Sequence, residues 1–72
     1  MKLRCLGVID TYKDVFTKGA SYEASELTNG FCDVYGNRLK RDGTPWLGLV
    51  SLGYIVVSGV GKFEIITEEN DD

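Results

Sequence analysis

Few side chains in this sequence could do covalent chemistry. Cys5 and Cys32 are the only thiols, and the chain has no histidine to serve either as a base. A nucleophilic cysteine needs such a base, or a neighbouring positive charge that holds it as thiolate. Both cysteines sit in apolar, strand-like surroundings, which predicts buried thiols that act as small hydrophobes. They also lack the close paired spacing of zinc ligands, so no metal site is expected. The carboxylate pairs Asp10 with Asp14 and Glu23 with Glu26 lie in polar segments that read as solvent-facing. General acid catalysis requires a pocket that shifts a pKa, and a chain of 72 residues rarely encloses one. Gly59-Val60-Gly61-Lys62 lacks the spacing and the following helix of a phosphate loop, so it reads as a hairpin turn. The chain is expected to bind and not to catalyse, and to need no cofactor.

Two groups of residues remain for binding. Arg38, Lys40 and Arg41 form the one dense basic cluster. On a strand, Arg38 and Lys40 would share a face while Arg41 opposes them. Beside Tyr35 and Trp46 they could frame a groove for single-stranded nucleic acid, whose bases stack on aromatic rings. The plainer reading is a solvated hairpin tip. The second group begins at Trp46, the single tryptophan, which opens a long apolar run. Tryptophan, tyrosine and arginine are enriched at binding hot spots. Trp46, Leu47, Leu49 and Tyr54, with Tyr35, therefore make a candidate surface for a protein partner. Trp46 itself reads equally as an interface anchor or as a core anchor.

Charge has to be divided before it is interpreted. The formal net charge is −3, from 8 basic and 11 acidic side chains. Glu68, Glu69, Asp71 and Asp72 supply four of the acids, and without them the balance is eight basic to seven acidic. A nearly neutral body speaks against strong nonspecific nucleic-acid binding, which needs a basic excess. It speaks equally against an acidic mimic of DNA.

The elements that must carry these residues read as β throughout. Lys2 to Ile9 is a first strand with Leu3 and Cys5 inward, and Asp10 to Asp14 is polar and turn-like. Ala20, Tyr22 and Ala24 alternate with Ser21 and Glu23 in a half-buried strand pattern. Asn29-Gly30 is a strong hairpin signal before a return strand from Phe31 to Tyr35. Gly36-Asn37 and Asp42-Gly43 mark two further turns. Thr44 to Gly61 is eighteen residues without a charge, near the lower limit for a membrane span. Pro45 and four glycines make a helix there costly, at close to ~1 kcal/mol per glycine. Two strands broken near Ser51 to Gly53 fit better, with Tyr54 to Val57 the more buried. A short helical turn at Trp46 to Val50 is the alternative, since Pro45 suits a first helical position. A last strand spans Lys62 to Thr67, with Phe63 and Ile65 on one face. Residues 1–67 form one domain, and 68–72 an acidic tail.

The stretch Phe16-Thr17-Lys18-Gly19-x-x-Tyr22-Glu23 resembles a class of very small SH3-like β-barrel proteins of bacteriophage and prophage genomes. Lys2 to Cys5, Asp33 to Asn37 and Phe63 to Ile66 match the same class, whereas the apolar stretch Trp46 to Val57 departs from it. The resemblance implies an all-β fold, a small SH3-like barrel or a strongly bent antiparallel meander of about five to seven short strands. It implies no catalytic residues. Most members of the class have no assigned function; taken with the lack of catalytic groups and the long apolar run, the resemblance leads to the expectation of an accessory protein that binds and modulates a host factor stoichiometrically in the host cytoplasm. Neither a signal for export nor a membrane segment is expected. So short a core supplies roughly 3–5 kcal/mol, so a structural subunit that self-assembles through the Trp46 to Val57 segment, as a homodimer or a larger assembly, is a rival reading.

Overall fold

In a computed structural model, residues 1–66 of the chain are described. Thr67 and the acidic segment 68–72 lie outside the described residues. Six strands, β1 (Lys2–Val8), β2 (Ser21–Ala24), β3 (Phe31–Tyr35), β4 (Trp46–Ser51), β5 (Tyr54–Val57) and β6 (Gly61–Ile66), follow one another around a closed barrel. Every neighbouring pair is antiparallel, and β6 closes on β1 with Leu3 opposite Ile65 and Cys5 opposite Phe63. Closure leaves no unpaired sheet edge, which for a small all-β chain removes the main route to aggregation. The all-β expectation is met; Phe31–Tyr35 and Tyr54–Val57 fall where the sequence puts them, whereas the basic segment 38–41 is not a strand.

Two of the turns show why the chain reverses where it does. Asn29 and Gly30 both have positive φ, 54° and 84°, the conformation that joins β2 to β3 through an isolated bridge between Thr28 and Phe31. At the β4–β5 hairpin the same pair of angles falls on Leu52, 51°, and Gly53, 84°. A leucine in the left-handed region is strained, because its Cβ crowds the backbone. The uncharged run is thus broken in the middle, and no helix among the described residues is long and apolar enough to cross a membrane. Trp46 to Val50 is strand and not a helical turn, because its backbone pairs with β3 on one side and β5 on the other.

Strand alternation sends Leu3 and Cys5, Tyr22 and Ala24, Cys32 and Val34, Ile55 and Val57, and Phe63 into the barrel. The segment between the 3₁₀ turn (Asp10–Tyr12) and β2 adds Val15 and Phe16, which plug it. Phe16 is fully buried and meets three rings edge-on: Phe63 at 4.8 Å, Tyr22 at 5.1 Å and Trp46 at 6.1 Å. Tyr22 keeps its hydroxyl satisfied by accepting from the Thr17 amide at 2.6 Å. Gly48 is the inward residue after Trp46 on β4, and its missing side chain is what makes room. A Cβ there would stand 2.8 Å from Ile55 Cγ2 and 3.0 Å from Val34 Cγ2. Gly48→Ala is expected to lower stability by about 1–3 kcal/mol through overpacking, measurable as a reduced urea midpoint with unchanged slope.

Candidate functional site

The barrel places Trp46 at one end, at the start of β4 and pointing inward. It is 7% exposed, so the structure corrects the interface-anchor reading: this indole is a core residue. Its edge packs against Tyr12 from the 3₁₀ turn at 5.6 Å and against Phe16. Its Nε1–H donates to the carbonyl of Arg38 at 2.9 Å. The Arg38 guanidinium and the Lys40 ammonium lie 5.8 and 5.9 Å from the ring centroid, so cations rather than solvent cover it.

That arrangement explains a second correction. Arg38, Lys40 and Arg41 are not on a strand but in the loop between β3 and β4, folded over Trp46. The indole claims the Arg38 carbonyl, Lys40 N–H donates to Thr44 at 3.0 Å, and Gly43 N–H donates to Lys40 at 2.8 Å. Asp42 accepts from the Thr44 amide and hydroxyl, 3.1 and 2.6 Å, and these bonds hold its carboxyl below the usual range. Arg38 Nε donates to Asp14 at 2.7 Å, and that bond holds the Asp14 carboxyl low as well. Both carboxyls are depressed in the folded state. They therefore contribute stability that is present above the ordinary aspartate value of 3.8 and lost as pH falls through their folded values. Acid titration of Trp46 fluorescence should show the loop loosening below pH 3.8, and Asp14→Asn with Asp42→Asn should flatten that transition.

Two adjoining clefts flank Trp46. One, of about 350 Å³, is lined by Thr11, Tyr12, Arg38, Lys40, Arg41 and Trp46. The other, of about 320 Å³, shares Tyr12, Lys40 and Trp46 and continues over Leu47, Leu49, Val57, Ser58 and Val60. The structure thus joins most of both candidate sets, with Lys40 and Trp46 as their common wall. Tyr35 is not part of it; it lies on the outer surface opposite Glu23. A larger depression, of about 570 Å³, opens between β1 and the β5–β6 turn. Its walls are aliphatic and glycine backbone with Lys62 as the one charged group, so little there would orient a ligand.

The outer face of the barrel holds the rest of the site. On β3, β4 and β5 the solvent-facing positions put Phe31 opposite Leu49 and Leu49 opposite Val56, with Leu47 and Tyr54 on either side along the strands. Leu47 is 48% and Phe31 45% exposed, and the strip ends at the hairpin tip in Leu52, 95% exposed. Lys62 lies over the Tyr54 ring at 4.3 Å. Sequence reasoning missed Phe31, Leu52 and Tyr12. Strand parity could have found Phe31, since Cys32 and Val34 must point inward. For Leu52 and Tyr12 the sequence carries no comparable signal.

Of the groups considered for covalent chemistry, Asp14 meets this site only as the ion-pair partner of Arg38. Cys5 and Cys32 are free, buried thiols, and burial pushes both up from their ordinary pKa, away from the reactive thiolate. Asp10 pairs with Lys13 at 3.2 Å in the open. Comparison with protein-family models, with curated proteins and with solved structures gives no match.

Proposed function

We propose that this chain is a non-enzymatic accessory protein that acts by stoichiometric binding of another protein through the outer face of β3, β4 and β5. The observation that carries the reading is the apolar strip from Leu47 to Leu52 on the solvent side of a closed barrel. None of these side chains belongs to the buried core, so the apolar surface they present exceeds what filling the barrel requires. Leu52 is the most telling of them. It occupies a turn position where asparagine or glycine would relieve backbone strain, and it is almost wholly in water. Strain kept at an exposed apolar residue fits a contact made with a partner. The likeness of Phe16 to Glu23 to small phage barrels supports a host factor in the host cytoplasm as that partner.

Stability and binding should separate at this position. Leu52→Asn is expected to raise stability by about 0.5–1 kcal/mol in urea unfolding while reducing the amount of partner retained in affinity capture from bacterial lysate. A variant that retains as much partner as the parent chain would count against the strip.

A further inference from the structure

We infer that the paired clefts around Trp46 form a docking trough for a short acidic peptide segment that carries an apolar side chain next to its carboxylates. The inference rests on the protein-binding reading above and names the chemistry of the partner. The two clefts share Tyr12, Lys40 and Trp46, so they form one trough with unlike halves. Its first half presents Arg38, Lys40 and Arg41, and among the described residues no carboxylate lines either half. Arg38 is engaged by Asp14, whereas Lys40 and Arg41 have no ion pair among the described residues. Asp42 is close enough to Lys40 for the two charges to interact but does not line the cleft, so among the described residues its rim is cationic and calls for an anionic ligand. The second half is walled by Leu47, Leu49 and Val57, which call for an aliphatic or aromatic side chain on the same ligand.

A peptide meets both demands at once, and nucleic acid does not. Base stacking needs an open aromatic face, yet Trp46 is packed edge-on by Tyr12 and covered by two cations. A nucleic acid also carries no aliphatic group larger than the thymine methyl to fill the Leu47 and Leu49 side. Each half lies near the lower end of the volume range of ordinary ligand sites, enough for a few side chains and not for a folded surface.

Trp46 is the only tryptophan and forms the shared wall, so its emission reports on the trough directly. The full chain is titrated with a synthetic peptide of three acidic residues followed by leucine and phenylalanine. Controls are the same peptide with lysines for the acids, the same peptide with glycine and serine for the apolar pair, a single-stranded oligonucleotide, and inorganic phosphate. The inference expects a saturable emission change with the first peptide alone, weakened by salt. Lys40→Ala with Arg41→Ala should raise its Kd about tenfold or more. Both residues are exposed loop positions, and an unchanged thermal midpoint confirms the fold. Leu47→Ser should raise the Kd severalfold while leaving the salt dependence intact. No saturable change, equal binding of either control peptide, or tighter binding of the oligonucleotide or phosphate overturns the inference. If the peptide fails while Leu52→Asn still reduces partner capture, the trough is wrong and the strip stands. If both fail, the protein-binding reading falls with it.

Discussion

Phe16→Ala is expected to leave the chain largely unfolded at room temperature. The ring is fully buried and touches Phe63, Tyr22 and Trp46 edge-on, so no other side chain can reach the space it fills. Truncating a buried phenylalanine costs about 3–5 kcal/mol, and a core of this size holds roughly 3–5 kcal/mol of net stability in all. Described residues offer no second fastening: both cysteines are free, and no cluster of metal ligands exists among them. Far-UV circular dichroism with urea should show no cooperative transition for Phe16→Ala. Phe16→Leu keeps most of the volume and should retain a transition, reduced by about 1–2 kcal/mol. A folded, cooperative Phe16→Ala protein would mean that the segment before β2 does not seal the barrel.

Trp46 is the second case. Trp46→Ala should also cost about 3–5 kcal/mol, so its loss of binding would say nothing about an interface. Trp46→Phe separates the roles. It keeps an aromatic edge near Tyr12 and Phe16 but leaves the Arg38 carbonyl without the indole donor. Losing a part-buried bond of that kind costs about 0.5–1.5 kcal/mol. The cost should appear as a lower urea midpoint together with faster amide exchange at Lys40 and Gly43, whose bonds close the loop. An interface tryptophan would instead show an unchanged midpoint.

These two residues also mark where the sequence stops being legible. Local signals were enough for the strands and most turns, because Asn29-Gly30 and the alternation of Tyr22 with Glu23 are properties of neighbours in the chain. Arg38-Leu39-Lys40 alternates like a strand, yet the segment lies exposed in a loop, as the hairpin-tip reading expects. What overrides the alternation is a bond from Trp46, eight residues away, to the Arg38 carbonyl. The burial of Trp46 depends on Tyr12 and Phe16 arriving from a distant turn, which no local pattern encodes. The uncharged run is not buried as a whole. Strand parity divides it, with Ile55 and Val57 inward and Leu47, Leu49, Tyr54 and Val56 outward. Only the hairpin shows that the outward set ends in a strained, solvated Leu52.

The protein-binding account is tested most directly by carbene footprinting of the chain, dilute and free, and in the complex it forms in bacterial lysate. Phe31, Leu47, Leu49, Leu52 and Tyr54 should lose label in the complex. Ile9, an exposed apolar residue away from both the strip and the trough, should keep its label. Protection of Ile9 with unchanged labelling along the strip would contradict the account.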